Sequence, residues 1–327
     1  IDGIATIASD TATVAVNYVA SKMGLMANPY EYTEICTNKY LMRQCFMNHQ
    51  VPSPKFAVAD EKGADLQGFH YPLIVKPTDR SGSRGVEKIN SPEELSSAIE
   101  RAQNESFEHK AIVEEFVTGK EISVESISYQ GTHYILQITD KVTTGAPFFV
   151  ELEHHQPSSL PLEKKEEVKK IVLKALDSLH VQFGASHSEL KITEDGDIKV
   201  IEIGARMGGD FISTVLTRLS TGIDMVAAAI NCALNIEPDL TPKAAPQGVC
   251  IRYFCPKPGK LVSISNTEAL NDSRVHEWEI YHQVGDEIPE VTSSLCRSGH
   301  VIVTEETPQK AIELAENLIS KVKLKTV

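Results

Sequence analysis

Two glutamates, Glu189 and Glu202, stand on either side of a predicted hairpin turn. Asp195-Gly196 lies between them, and this pair is typical of a two-residue hairpin loop between apolar-rich strands. If it forms the loop, Glu194 faces Asp197, and the same register places Glu189 directly opposite Glu202. Facing like charges are unfavourable unless they share a cation or a proton. Mg²⁺ held by the carboxylates and by phosphate oxygens is the simplest resolution, and a solvated hairpin with two chance glutamates is the alternative.

A second pattern is a lysine that ends a predicted strand and is followed at once by small residues. The strand Tyr71–Lys76 leads into the run Ser81-Gly82-Ser83-Arg84-Gly85. Small residues let backbone N–H groups approach phosphate oxygens, and a lysine adds a positive point charge. The run is not a P-loop, because it lacks the Gly-Lys-Ser/Thr ending that opens a helix. It predicts a phosphate-binding loop, with a mobile hairpin loop as the alternative.

A third pattern is a pair of predicted strands, Ala111–Phe116 and Glu121–Ser128, joined by a tight Thr118-Gly119 turn. The segment Glu115–Val117 offers backbone amide groups and an apolar wall to an adenine ring. Glu121, beyond the turn, offers an acceptor to ribose hydroxyls. Taken alone, this run is better explained as an edge hairpin with a charged turn.

A fourth pattern follows Glu202 directly, in the run Gly204-Ala205-Arg206-Met207-Gly208-Gly209-Asp210. An arginine presents a rigid planar fork to phosphate or carboxylate groups. A surface arginine beside a turn is the common alternative. The position next to a predicted metal ligand favours an anion contact for Arg206.

Composition excludes several classes of protein. The chain has 327 residues, of which 41% are hydrophobic and 24% charged, and no apolar run approaches a membrane span or a signal peptide. A net charge of -13 argues against a nucleic-acid-binding protein but leaves room for an anion held by local cations. The six cysteines show no C-x-x-C spacing, so we expect buried reduced thiols and a cytoplasmic protein.

Predicted strands and helices alternate along the whole chain, which indicates an α/β or α+β architecture. Residues 1–30 read as a buried strand, a cap at Ser9 or Asp10 and a helix, so we expect them to end a preceding domain with a segment upstream. Further helices are predicted from capping and periodicity signals. Their expected ranges are Thr37–His49, a start at Ser91-Pro92, Leu162–His180, Ser220–Leu234 and Thr307–Val322.

Taken in this order, the four patterns resemble the ATP-grasp superfamily over about residues 30–327. The resemblance implies an α/β chain with the ATP-grasp fold, in which two α+β lobes clamp ATP beside a C-terminal α/β lobe. It implies a remnant of the N-terminal pre-grasp domain at 1–30, a first lobe with a glycine-rich lid at 31–120, a second lobe with the metal site at 121–245 and the C-terminal lobe at 246–327.

The resemblance also assigns roles to individual residues. The implied phosphate contacts are Lys39 and Lys76, and the implied lid residues are Ser81, Gly82, Ser83 and Gly85. The implied adenine hinge is Glu114, Glu115, Phe116 and Val117, with Glu121 at the ribose. The implied magnesium ligands are Glu189 and Glu202, and Arg206 is the implied catalytic contact to an acyl phosphate. Many members have asparagine where this chain has Gly204, so water, Asp210 or substrate is expected to supply that oxygen.

The loop around Arg206 looks most like that of the L-amino-acid ligase group. The resemblance therefore implies an ATP-dependent carboxylate–amine ligase that forms an amide or peptide bond through an acyl phosphate and releases ADP and phosphate. The implied cofactors are ATP and Mg²⁺, with Mn²⁺ as a substitute ion, and the implied substrates are small carboxylates and amines, chiefly amino acids. No nucleic acid or membrane partner is expected, and a homodimer stays open. The alternatives are a non-catalytic ATP-binding regulatory protein and a carboxylase or purine-pathway ligase of the same superfamily.

Overall fold

The computed structural model describes residues 1–60, 63–82 and 84–327, so the predicted lid residue Ser83 lies outside the described residues. The chain divides into two compact units, each assembled from three stretches of sequence. The first unit consists of Ile1–Leu136, Leu160–Ser213 and Asp224–Leu240. The second unit consists of Gln137–Ser159, Thr214–Ile223 and Thr241–Val327. The four predicted lobe segments stay a prediction, because the units recombine distant stretches rather than cutting the chain at those boundaries.

Helices and strands alternate, as predicted. The α-helices are α1 (Asp10–Met23), α2 (Thr33–Thr37), α3 (Lys39–Asn48), α4 (Pro92–Glu105), α5 (Leu162–Ser178), α6 (Thr217–Thr221), α7 (Met225–Ala233) and α8 (Pro308–Lys321). The first ten strands in chain order are β1 (Phe56–Asp60), β2 (Gly63–Ala64), β3 (Leu73–Pro77), β4 (Glu87–Ile89), β5 (Ala111–Glu115), β6 (Lys120–Tyr129), β7 (Thr132–Thr143), β8 (Glu151–Gln156), β9 (Gly184–Ile192) and β10 (Ile198–Gly204). The remaining strands are β11 (Gly248–Tyr253), β12 (Gly259–Ser265), β13 (Val275–Ile280), β14 (Glu287–Ile288), β15 (Gly299–Glu305) and β16 (Lys323–Thr326).

The first unit is built on two sheets. One has the strand order β2-β1-β5-β3-β4, and α4 covers it through a buried cluster that includes Leu73, Val75, Ala98 and Ala102. In the other sheet β9 lies between β10 and β6, with antiparallel pairing on both sides. Helix α7 buries Met225 and its neighbours in a cluster with apolar residues of β6 and β9. These packed faces hold the ends of β3, β5, β9 and β10 in fixed positions.

The second unit has its own core. Strands β8, β11, β15 and β13 are adjacent in that order, and β12 pairs with β14 and β16 in a separate small sheet. Helix α8 lies within the predicted range Thr307–Val322 and begins after Thr307, whose hydroxyl accepts from the backbone N–H of Lys310. Its apolar face packs on β11 and β15 around Cys250, Val301 and Leu314.

Several predictions about these elements are wrong. The helix predicted from Ser220 to Leu234 is divided, because Gly222 adopts a left-handed conformation (φ 75°) after α6 and Asp224 caps a new helix. No strand forms before α1 in the described residues; Ile7 makes a single bridge to Met207. The cysteines are free thiols as expected, but Cys255 is exposed. Among the described residues, no helix combines the length and the apolar character required to cross a membrane.

Candidate functional site

Glu189 and Glu202 face each other across β9 and β10, as the sequence predicted. The predicted register at the turn itself is wrong, because Ile198 pairs with Ile192, one position away from the expected partner. A β-bulge between Val200 and Glu202 shifts the register back by one residue. Bulges of this kind re-aim side chains and are common beside functional sites. The facing carboxylates therefore depend on an irregularity that no turn signal encodes.

A lysine ammonium group supplies a cation to this carboxylate pair. Nζ of Lys39 lies 2.7 Å from Oε1 of Glu202 and donates to the carbonyl oxygen of Arg80 at 2.6 Å. Lys39 is the first residue of α3, and the side-chain oxygen of its N-cap Asn38 accepts from the backbone N–H groups of Tyr40 and Leu41. Because Lys39 also belongs to the predicted phosphate contacts, one ammonium group joins the phosphate and metal parts of the candidate site.

The imidazole ring of His187 supplies a positive charge beside the other carboxylate, that of Glu189. Nε2 of His187 is 3.5 Å from Oε1 of Glu189, and Nδ1 is 2.6 Å from Oε1 of Glu125. Burial alone lowers the pKa of His187, but the charges and hydrogen bonds of Glu125 and Glu189 outweigh burial and raise that pKa to about 9. The imidazolium form thus lies between two carboxylates at neutral pH.

Glu125 is a buried support that sequence reasoning missed. It lies opposite His187 in the β6–β9 pair, and Oγ of Ser213 donates to its Oε2 at 3.0 Å. The backbone N–H of Gly208 in turn donates to Oγ of Ser213 at 2.7 Å. A Cβ atom on Gly208 would lie 2.6 Å from Nδ1 of His187, so only glycine fits there. A charged residue in the middle of an apolar strand was the available signal for Glu125.

Lys76 is held at the end of β3 by a buried carboxylate. Its Nζ lies 2.7 Å from Oε2 of Glu114, and Nε of Arg43 lies 2.8 Å from Oε1 of the same group. Burial raises the pKa of Glu114, but Arg43 and Lys76 outweigh it, so the net shift is downward. Burial lowers the pKa of Lys76, and the charge of Glu114 opposes that shift. The three side chains form one buried charge cluster.

This cluster changes the interpretation of Glu114, which the resemblance placed in the adenine hinge. Both of its carboxylate oxygens contact cations, and its backbone lies between β1 and β3, opposite Phe56 and Ile74. Support of Lys76 therefore fits this residue better than contact with adenine. Arg43 was missed, although its i, i+4 spacing from Lys39 places the two cations on one face of α3.

The glycine-rich loop follows Lys76, with Ser81, Gly82 and Gly85 among its described members. Gly82 and Gly85 have φ angles of 67° and 69°, in the region that glycine favours. A Cβ atom on Gly85 would also lie 2.9 Å from Cγ of Pro77, whereas the position at Gly82 opens on free space. Gly85 is therefore required for packing, and Gly82 has room beside it for a ligand.

The remaining predicted hinge residues lie around the end of β5. Glu115 is 3.7 Å from Nζ of Lys199, and Nζ of Lys88 lies 4.3 Å from the centre of the Phe116 ring. Val117 follows in the connection to β6. Glu121, the predicted ribose contact, lies 3.7 Å from Nζ of Lys191. Their contacts with a nucleotide stay a prediction.

Arg206 forms a two-point ion pair with a residue from the start of the chain. Its Nε and Nη2 donate to Oδ1 and Oδ2 of Asp10 at 2.9 and 3.1 Å. Burial lowers the pKa of Arg206, but Asp10 outweighs burial and raises it. A Cβ atom at Gly204 would lie 2.9 Å from Cζ of Arg206 and 3.0 Å from Oδ1 of Asp10. The departure from asparagine at Gly204 thus has a steric reason in this chain.

All described residues of the candidate site belong to the first unit, where cations surround two facing carboxylates. Carboxylate oxygens beside lysine and arginine groups are the donor set that a divalent cation and a polyphosphate need together. The ammonium group of Lys39 forms an ion pair with Glu202, in the kind of position that a metal cation would take. The residues present therefore fit a magnesium nucleotide.

Comparison with known proteins gives matches in two regions of the chain. An ATP-grasp domain model matches residues 69–215, and a model of the L-amino acid ligase C-terminal domain 2 matches residues 252–327. The first match contains Lys76, the lid, the hinge, both facing glutamates and Arg206. The second match falls within the predicted C-terminal lobe.

Individual proteins give the same picture. The chain is 24% identical over 176 residues to a D-alanine–D-alanine ligase of Francisella philomiragia, covering 53% of this chain and 58% of that protein. It is 29% identical over 213 residues to an alanine–anticapsin ligase of Bacillus subtilis, covering 58% of this chain and 45% of that protein. The chain thus spans about half the length of these curated relatives.

A solved structure extends the likeness to the whole fold. The crystal structure of an L-amino acid ligase from Bacillus licheniformis superposes with a TM-score of 0.86 at 24% identity, covering 100% of this chain and 81% of that one. The predicted fold is therefore confirmed. Residues 69–215 match an ATP-grasp domain, residues 252–327 match an L-amino acid ligase C-terminal domain 2, and the chain has the same fold as the L-amino acid ligase structure.

Proposed function

We propose that this protein is an ATP-dependent ligase that joins an amino-acid carboxylate to the amine of a second amino acid. The observation that carries the proposal is the facing pair Glu189 and Glu202. The ammonium group of Lys39 pairs with Glu202 and donates to the carbonyl oxygen of Arg80, next to the predicted lid loop. Two relatives are named as a D-alanine–D-alanine ligase and an alanine–anticapsin ligase, and these names support amino acids as substrates.

The chemistry requires two transfers. A carboxylate oxygen of the first substrate attacks the γ-phosphorus of ATP, the bond from that phosphorus to the β-phosphate bridging oxygen breaks, and ADP leaves. The amine of the second substrate then attacks the acyl carbon, the bond from carbon to the phosphate oxygen breaks, and phosphate leaves while the nitrogen loses a proton. In such reactions the protein contributes chiefly positioning and charge neutralisation.

Named residues account for that contribution. Glu189 and Glu202 would hold Mg²⁺, with Mn²⁺ as a substitute ion, and the bound ion would supply positive charge that offsets the charge of the phosphates. Lys39 and Lys76 draw negative charge from the phosphates, and the cluster around Glu114 holds Lys76 in place. Arg206 offers a planar fork to the acyl phosphate, and Asp10 orients that fork.

Closure of the lid would protect the acyl phosphate from water. We place the reaction in the cytoplasm, where ATP and reduced thiols are both available. A homodimer stays a prediction.

The proposal is tested by incubating the protein with MgATP and pairs of amino acids while ADP is measured. We expect ADP release that depends on an added pair, with the matching dipeptide detected by mass spectrometry. Glu202→Gln is the matched control, because it keeps the size of the side chain and removes a charge at the predicted metal site. Tight ATP binding with no pair-dependent ADP release would favour the non-catalytic regulatory protein.

A further inference from the structure

A compact cluster of three different ligand-type side chains lies in the second unit, whereas the described candidate ATP-site residues belong to the first. Glu153 and His155 alternate along β8 and so share one face, and Cys250 is the direct partner of His155 on β11. Nε2 of His155 is 3.4 Å from Oε2 of Glu153, and Sγ of Cys250 is 3.9 Å from the same oxygen. One nitrogen, one oxygen and one sulfur atom therefore converge within 4.8 Å.

The cluster is closed to solvent and incompletely satisfied. Glu153, His155 and Cys250 have exposures of 6%, 7% and 0%. Nε2 of His155 makes no well-aligned hydrogen bond among the described residues, and its 3.4 Å contact is with Oε2 of Glu153, an oxygen that also accepts from Arg252. Buried polar atoms normally make well-formed hydrogen bonds, and one that does not calls for an explanation such as an ion. Cys250 also lies in the apolar core under α8, which shields the cluster.

We propose that Glu153, His155 and Cys250 bind a divalent transition-metal ion of the zinc class. Zinc takes sulfur at about 2.3 Å and nitrogen or oxygen at about 2.0–2.2 Å, so tetrahedral ligand atoms lie about 3.3–3.8 Å apart. The separations of 3.4 and 3.9 Å require only a small contraction around the ion. A mixed nitrogen, oxygen and sulfur donor set selects zinc over magnesium, which prefers oxygen alone.

The charges next to the cluster balance such an ion. Nη1 of Arg252 donates to Oε2 of Glu153 at 2.8 Å and to Oε1 of Glu316 at 3.1 Å. Carboxylates that bind metals are commonly hydrogen-bonded by an outer partner, which Arg252 supplies. With Cys250 as thiolate, the negative groups are Cys250, Glu153 and Glu316. Their three charges balance the single charge of Arg252 and the two charges of a divalent cation. The ion would join β8 to β11 beneath α8.

The test is titration of the 327-residue chain, stripped with EDTA and kept reduced, with Co²⁺ as a spectroscopic substitute for zinc. A cobalt–thiolate bond gives a charge-transfer absorption band that carboxylate sites such as Glu189 and Glu202 do not give. We expect one equivalent of Co²⁺ to produce this band and Zn²⁺ to remove it. Cys250→Ser and His155→Gln should abolish or strongly weaken the band, whereas Cys232→Ser, at a buried cysteine of the first unit, should leave it unchanged.

A second measurement covers variants that fold poorly. Zn²⁺ should raise the melting temperature of the wild type and of Cys232→Ser but not of His155→Gln. The proposal is overturned if saturating Co²⁺ gives no thiolate band in the wild type, which would mean that the Arg252–Glu153 ion pair alone satisfies the cluster. A band that persists in Cys250→Ser overturns it equally. Neither outcome bears on ligase activity, so this inference and the proposed function fail separately.

Discussion

Replacement of Glu114 by glutamine should destabilise the protein strongly while leaving its nucleotide preference intact. The side chains of Arg43, Glu114 and Lys76 are 0%, 4% and 6% exposed, so the variant leaves two buried cations without a counter-charge. Removal of one partner from a buried ion pair costs about 3–5 kcal/mol, and we expect a loss of that size in the free energy of unfolding. Urea unfolding followed by circular dichroism measures this loss.

The matched control is Glu115→Gln, one residue further along. Glu115 is 39% exposed and lies 3.7 Å from Lys199, so its replacement should change the unfolding free energy by about 0.5 kcal/mol or less. A loss below about 1 kcal/mol in Glu114→Gln would refute the support role of Glu114. A changed preference between ATP and GTP without a stability loss would return Glu114 to the adenine hinge.

The same cluster predicts a dependence on pH. The pKa of Glu114 is lower in the folded chain than its ordinary value of 4.5, because Arg43 and Lys76 outweigh its burial. Its contribution to stability is therefore complete above pH 4.5 and is lost as the pH falls through the folded pKa. In acid titrations the wild type should lose this contribution, and Glu114→Gln, which has no carboxyl group there, should not.

Three further results are expected at the candidate site. Glu202→Gln should lower MgATP turnover about 100-fold or more, and wild-type activity would contradict the metal assignment. Arg206→Lys should keep ATP affinity and lose turnover, because a point charge cannot replace a planar fork; equal losses in both would make Arg206 an ordinary ATP contact. Tryptic cleavage after Arg80 and Arg84 should slow when ATP is added, and unchanged cleavage at saturating ATP would count against a phosphate-binding lid.

Local signals predicted the parts of the fold that local chemistry determines. Helices α3 and α8 begin close to their predicted starts at Thr37 and Thr307, where Asn38 and Thr307 are the N-caps, because a side-chain oxygen needs only the next turn of helix to act as a cap. The division at Gly222 was missed, because an apolar pattern on both sides reads as one continuous helix. The bulge before Glu202 was missed for a related reason, since nothing in the turn sequence reports it.

The residues that support the site were harder to predict than the residues that face it. Glu189, Glu202 and Lys76 stand beside turn or glycine signals. Asp10 meets Arg206 across 196 positions of sequence, and only the folded chain brings the two together. Ser9 and Asp10 were both candidates for the helix cap; Ser9 is the cap in the structure, and the carboxylate of Asp10 pairs with the arginine.

The central claim is that an acyl phosphate forms, and oxygen transfer tests it most directly. The first amino acid is supplied with ¹⁸O in both carboxylate oxygens, together with unlabelled ATP, Mg²⁺ and the second amino acid. If a carboxylate oxygen attacks the γ-phosphorus and leaves with it, the released inorganic phosphate should carry one ¹⁸O atom for each bond formed, as read by mass spectrometry. Unlabelled phosphate released in step with product would contradict the acyl-phosphate route.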